Sequence, residues 1–223
     1  MEAYQAAFVD LLVRHQVLRF GDFTLKSGRR SPYFINAGQL RTGAAIAGLG
    51  QAYAAGILRH GLACDLVFGP SYKGVPLAVA TAIALADAGH DVAYTFDRKE
   101  AKDHGEGGWF VGAKPEAGMR VVLVDDVITS GISIREAVAL LKRTADVEVA
   151  GVVVAVDRQE RGRSERTTVS ELAEELAVPI RPIVTVREIV AHLHGRAIDG
   201  AVVIDDARRG AIEAYLAEHG GAA

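Results

Sequence analysis

The chain has 223 residues, a hydrophobic fraction of 50% and a formal net charge of −3, which suits one sizeable α/β domain. The near-neutral charge gives no general basis for nucleic-acid or membrane binding, and the single cysteine, Cys64, excludes an internal disulfide and a cysteine zinc cluster. The opening Met1, Glu2, Ala3 and Tyr4 lack the pattern of a secretory leader and no 18-residue apolar span follows, so a cytoplasmic location is expected.

Apolar Phe8, Leu11, Leu12 and Leu18 fall at near-helical spacing and predict a first helix over residues 4–18. Gly21, Gly28 and Pro32 punctuate residues 20–34, predicting short strands and turns. A second helix is predicted over residues 42–60, a strand over residues 66–68, and an alanine-rich helix packed closely on a sheet over residues 75–88. Strands follow at residues 92–95 and 121–124, separated by residues 97–115, which read as irregular because they are charged and rich in glycine. Ser133 and Glu136 have capping-box spacing ahead of apolar Ile134, Val138 and Leu141. Residues 149–156 are almost wholly apolar and β-branched, as a doubly covered parallel strand requires. A short helix from about Ser170 stops before Pro179, and Thr185 with Glu188 offers another capping box before a helix over residues 189–193. The alternation predicts a central parallel sheet with helices on both faces.

The apolar run Val121, Val122, Leu123 and Val124 ends in Asp125 and Asp126, and a hydroxyl-and-glycine turn follows at Thr129, Ser130, Gly131, Ile132 and Ser133. Carboxylates at a parallel strand's end can accept hydrogen bonds from vicinal ribose hydroxyls. Backbone amides at a helix start can surround a terminal phosphate, and Gly131 lets the backbone come close. A helix cap followed by an ordinary turn is the plainer reading; acid pair and turn together favour the sugar-phosphate site. The Gly-Lys-Ser/Thr ending of a nucleotide-hydrolase loop is absent.

Four other groupings bear on chemistry. Arg98, Lys99, Lys102 and His104 could close over a diphosphate, with Gly105, Gly107 and Gly108 as hinges; interspersed Asp97, Glu100, Asp103 and Glu106 equally allow a solvated charged loop. Lys26 could reach an anion, and Phe34 could lie against a planar ring or serve only packing. The turn after residues 66–68 carries Tyr72 and Lys73, where amides and the ammonium could bind diphosphate. Arg158 could meet a substrate carboxylate in a bidentate pair, while Arg161 is expected to face solvent. His15, His60, His192 and His194 fit no ligand pattern, and surface or helix-end roles suffice.

Residues 122–133 resemble the signature of type I phosphoribosyltransferases, which bind 5-phosphoribosyl 1-diphosphate (PRPP). Residues 23–34, Tyr72 with Lys73, residues 98–108 and residues 157–162 together resemble the orotate phosphoribosyltransferases in particular. The resemblance covers most of the chain. It implies a single domain over residues 1–223: a central parallel sheet flanked by helices, with residues 1–40 forming much of a small N-terminal hood. It assigns Asp125 and Asp126 to the ribose hydroxyls and Thr129, Ser130, Gly131, Ile132 and Ser133 to the 5-phosphate, with Val127 and Ile128 also among the PRPP contacts. Tyr72, Lys73 and Lys26 fall to the diphosphate. Arg98, Lys99, Lys102 and His104 fall to a mobile loop, residues 98–110, that reaches the neighbouring subunit's site in a homodimer. Lys26, Phe34, Ile35, Thr129 and Arg158 match orotate contacts. Two departures are visible: Ile132 stands where threonine is common, and Ile35 where an aromatic residue is common.

The reaction so implied is orotate plus PRPP giving orotidine 5′-phosphate and diphosphate in pyrimidine biosynthesis. Orotate N1 displaces diphosphate at C1 through a loose transition state, with Lys102 the leading leaving-group contact and Arg98, Lys99, His104 and Lys73 supporting it. Mg²⁺ is expected to bridge substrate oxygens and water, without a dedicated set of protein ligands. A purine-specific transferase and a non-enzymatic sugar-phosphate sensor share parts of the pattern. The first has no need of Arg158 facing a carboxylate, and the second has no need of the cationic loop.

Overall fold

The computed structural model describes residues 1–25, 28–102, 108–128 and 130–222, and the side chains of residues 99–102 fall outside the description. Helix α1 (Ala3–Arg14) leads into an antiparallel hairpin of β1 (Leu18–Thr24) and β2 (Arg30–Ile35). The first helix is thus shorter than its apolar spacing suggested. Gln16 takes φ 54°, which turns the chain out of the helix, and Leu18 opens the strand.

The central sheet is assembled next. Helix α2 (Gly43–Arg59), capped by Thr42, precedes β3 (Leu66–Phe68), α3 (Gly74–Asp87), β4 (Ala93–Lys102), β5 (Gly108–Gly112) and β6 (Arg120–Val127). Then come α4 (Ile132–Thr144), β7 (Glu148–Asp157), α5 (Thr168–Leu176), β8 (Ile180–Thr185) and α6 (Val186–Leu193). A two-stranded ribbon, β9 (Ala197–Ile198) and β10 (Ala201–Val202), leads to α7 (Asp206–His219). The large sheet has the order β5-β4-β3-β6-β7-β8. All its neighbours are parallel except β5, which runs antiparallel to β4.

Residues 97–115 therefore differ from expectation. They are not irregular throughout: β4 continues through the charged stretch to Lys102, and Asp97 pairs with Phe110 across the hairpin. An edge hairpin has one flank in water, where charged residues are tolerated and discourage further strand pairing. The expected Ser133 capping box also fails. Gly131 is the N-cap of α4, and Ser133 lies inside the helix with its hydroxyl committed elsewhere. The Thr185–Glu188 box forms as read. His15, His60 and His194 cap α1, α2 and α6, and His192 lies in the last turn of α6 beside Asp10.

Strand alternation divides the interior into two cores. In β6, Val122 and Val124 join the core of α1, α2, α3 and α6, while Val121 and Leu123 join the core of α4 and α5. Burying each such side chain contributes roughly 1.5–3 kcal/mol against exposure. Covered on both faces in this way, β6 presents its acidic end from the middle of the sheet. Cys64 packs at the rim of the first core, where burial pushes its thiol up to about 11, consistent with an inert thiol.

Candidate active site

The five parallel strands run β4-β3-β6-β7-β8 in space, so the order reverses between β3 and β6. The chain leaves the carboxyl ends of these two neighbours toward opposite faces of the sheet, toward α3 and α4, and opens a crevice between them. Both candidate phosphate turns lie at this point. The turn after β3 is closed by small residues: a Cβ on Gly69 would collide with the Gly74 carbonyl. Ser71 N donates to Asp97 Oδ1 at 2.6 Å, and Ser71 Oγ donates to the Asp97 carbonyl, so β4 braces the turn. Tyr72 is exposed beside it.

The end of β6 supplies the acid pair, each residue only 8% exposed. Asp125 Oδ1 accepts from Asp126 N at 2.9 Å, and Asp125 Oδ2 accepts from Ser133 Oγ at 2.9 Å. Asp126 Oδ1 accepts from Val127 N at 2.8 Å, while Lys73 Nζ reaches Asp126 Oδ2 at 2.5 Å. Below the pair, Tyr53 donates to the Asp125 carbonyl at 2.6 Å. Burial, and then repulsion from Asp126, raise the Asp125 pKa above the ordinary carboxylate value. The arrangement offers acceptor oxygens to hydroxyl donors, next to an ammonium able to change partners. Gly131 follows with φ 72°, which L side chains rarely adopt, and turns the chain so that α4 begins at the crevice.

Beside β6, the neighbouring strand β7 ends at Asp157, and Arg158 follows it. The Arg158 guanidinium lies 4.3 Å from the Tyr33 ring centroid, donates from Nη2 to Ser31 Oγ at 3.2 Å, and pairs with Glu160 Oε1. Burial works against its charge, but the Tyr33 oxygen and Glu160 outweigh burial and hold the pKa up. Burial raises the Asp157 carboxyl. Phe34 stacks on Phe23 with ring centroids 5.6 Å apart and also lines the crevice.

These groups share one open cleft of about 860 Å³. From the sequence candidates it brings together Tyr72, Lys73, Asp125, Asp126, Val127, Ile128, Ser130, Ser133, Phe34, Ile35 and Arg158. Ile132 is exposed at the first position of α4. Arg98 stands on β4 beyond Asp97 and does not line the cleft; its Nε is buried with no partner among the described residues. Lys26, His104 and Thr129, and the side chains of Lys99 and Lys102, lie outside the described residues. Arg161 lines the cleft edge and donates to the Glu218 carbonyl, so it is less free than expected of a solvent-facing residue. Arg29 and Glu160, assigned no role from the sequence, also line the cleft and pair at 3.1 Å. They are 131 residues apart in the chain, and no local pattern links them. Among the described residues, no group of three or more His, Cys, Asp or Glu side chains converges as a metal site.

A doubly covered sheet with an acid pair and a glycine turn at its switch point is the arrangement of a type I phosphoribosyltransferase. Residues 36–185 match the family model described as the phosphoribosyl transferase domain. The chain is 44% identical over 222 residues to the orotate phosphoribosyltransferase of Lachnoclostridium phytofermentans, covering 99% of each. It is 49% identical over 204 residues to that of Cellvibrio japonicus, covering 91% of this chain and 94% of the relative. The crystal structure of orotate phosphoribosyltransferase from Francisella tularensis superposes with a TM-score of 0.82 at 35% identity, covering 96% of this chain and 99% of that one. The chain belongs to the orotate phosphoribosyltransferase family.

Proposed function

We propose that the chain transfers the 5-phosphoribosyl group from PRPP to N1 of orotate, releasing diphosphate and forming orotidine 5′-phosphate for pyrimidine biosynthesis. The observation that carries this reading is one cleft shared by Lys73, Asp125 and Asp126 at the sheet's switch point and by Arg158 beyond the neighbouring strand β7. The first group suits a sugar phosphate, and Arg158 suits a planar base bearing a carboxylate.

In this reading Asp125 and Asp126 accept the ribose hydroxyls, and residues 127–133 cradle the 5-phosphate at the start of α4. Lys73 moves from Asp126 to the diphosphate, with Tyr72 beside it. Phe34 and Ile35 flank the base, Arg158 meets its carboxylate, and Lys26 and Thr129 complete the contacts. With both substrates in line, the nucleophilic N1 is held against C1 while cations stabilise the departing diphosphate. Lys102 leads that task, supported by Arg98, Lys99 and His104. No covalent intermediate with the protein is needed.

The cleft's oxygen-rich donor set suits a hard cation. Asp125 and Asp126 would stand beside a Mg²⁺ held mainly by substrate and water oxygens, and the ion would neutralise charge on the leaving group. The working unit in this proposal is a homodimer in which residues 98–110 serve the partner's site, and residues 1–40 cover the cleft as a hood. No described helix is long and apolar enough to cross a membrane, and the proposed setting is the cytoplasm.

Incubation of the purified chain with Mg²⁺, PRPP and, separately, orotate, uracil, adenine and guanine tests the assignment. Orotate-dependent diphosphate release is expected. Consumption of a purine instead, or of no base at all, would overturn it.

A further inference from the structure

Glu160 stands where three segments of the chain meet. Its Oε1 accepts from Arg158 Nε at 2.8 Å and from the Tyr215 hydroxyl at 2.7 Å, and its Oε2 takes Arg29 at 3.1 Å. Tyr33 lies under the Arg158 guanidinium and sets its ring edge-on to Tyr215, with centroids 5.8 Å apart. The end of α7 is tied to the same segment by backbone bonds. Arg161 N donates to the His219 carbonyl at 2.9 Å, and Gly221 N donates to the Gln159 carbonyl at 3.0 Å.

A carboxylate in the wall of an anion-binding cleft repels the incoming anion, so its presence there calls for a compensating role. Arg158 is 8% exposed and has a long stem that could adopt many rotamers. Glu160 occupies its Nε and Nη2 edge, Ser31 takes a further bond and Tyr33 supports the face. Together they leave the guanidinium one orientation. Tyr215 and Arg29 in turn hold Glu160.

We propose that Glu160 is a positioning residue of the base subsite, fixing Arg158 for a substrate carboxylate, and that Tyr215 makes helix α7 part of that subsite. This rests on the assignment of Arg158 to orotate.

The test compares wild type, Glu160→Gln and Tyr215→Phe in steady-state kinetics with orotate and PRPP varied separately. In parallel, ¹⁵N NMR follows the Arg158 Nε–H, assigned by its loss in Arg158→Lys. Glu160→Gln is expected to raise KM for orotate about tenfold or more, the scale of a hydrogen bond to a charged group. KM for PRPP should stay within about twofold, and Tyr215→Phe should shift orotate in the same direction by about threefold. The Arg158 Nε–H should be protected from exchange in wild type and lose that protection in Glu160→Gln. An unchanged or lowered KM for orotate, or equal rises for both substrates, would overturn the proposal. If wild type uses no orotate, the functional reading falls, and persistence of the protected Nε–H in Glu160→Gln would separately refute the positioning role. Should Glu160→Gln fail to fold, Tyr215→Phe carries both measurements.

Discussion

Lys73 Nζ lies 2.5 Å from Asp126 Oδ2, joining the turn after β3 to the end of β6 across the switch point of the sheet. The lysine side chain is 71% exposed and the carboxylate 11%, so this pair contributes little to folding. In the proposed reaction its consequence is functional: the ammonium offsets the charge of Asp126 until diphosphate competes for it. Lys73→Ala is therefore expected to lower kcat/KM for PRPP by roughly 10- to 100-fold, the loss of a charge-assisted contact. The thermal midpoint should change little. Calorimetric melting and initial rates on one preparation would check both halves, and unchanged kcat/KM would refute the role.

Asp125 is held in tension between function and stability. Its folded pKa is raised, so the stabilising contribution of its proton is present below the unfolded value and is lost as pH rises through the folded value. At neutral pH the ionised form costs stability. Asp125→Asn removes that charge and the repulsion with Asp126, and an amide oxygen can still accept from Asp126 N. A gain of about 1 kcal/mol, or roughly 2–4 °C in Tm, is expected near pH 7, with kcat/KM for PRPP falling. The Tm gain should shrink toward pH 4. Asp126→Asn should lose activity as well, since it too is proposed to accept from a ribose hydroxyl. Retention of wild-type kcat/KM by both variants would sink the ribose assignment.

What could be read without coordinates depended on how local its cause was. Thr185 and Glu188 form their capping box because both partners sit within one turn. Ser133 and Glu136 have the same spacing, yet Ser133 donates to Asp125, eight residues back, and Gly131 takes the cap position. The acid pair and its turn were legible because the strand, carboxylates and glycine are contiguous. Glu160 was not, because Arg29, Tyr33 and Tyr215 come to it from distant parts of the chain. The β4–β5 hairpin was hidden by the charge of β4 past Thr95, where its pairing with β3 has ended. Helix α7 went unread although Ile212, Tyr215 and Leu216 have helical spacing and Asp205 caps it.

Arg158→Ala should weaken orotate binding by roughly 2 kcal/mol or more, about 30-fold, because a shielded charged pair is lost. PRPP affinity should hold, since its proposed contacts are at the end of β6 and the start of α4 and not at Arg158. Glu160 keeps Tyr215 and Arg29 as partners, so the fold should survive. Titration calorimetry with each substrate decides it, and an unchanged orotate Kd would remove Arg158 from the base subsite.

Gly131→Ala tests the phosphate turn through its backbone. At φ 72° an L residue costs about 1–2 kcal/mol, and the new Cβ would lie 2.9 Å from Leu172 Cδ2. A fall in Tm of roughly 2–8 °C is expected, with a rise in KM for PRPP larger than that for orotate. Equal effects on the two substrates would mean that the turn serves the fold and not the phosphate.

The proposed exchange of residues 98–110 between subunits can be tested by complementation. Lys102→Ala alone should sharply lower kcat, because a leaving-group contact acts in the transition state, with little loss of stability. Asp125→Asn alone should disable the proposed ribose site of its own chain. In a mixed dimer with exchanged loops, one site combines the intact Lys102 of one chain with the intact Asp125 of the other, and the second site carries both lesions. Activity should recover toward about half the wild-type value per heterodimer if the two sites act independently. If each loop serves its own subunit, every site keeps one lesion and no recovery follows. Native mass spectrometry establishes that the subunits have mixed, and a mixed dimer without recovered activity would exclude the shared site while leaving the transferase assignment intact.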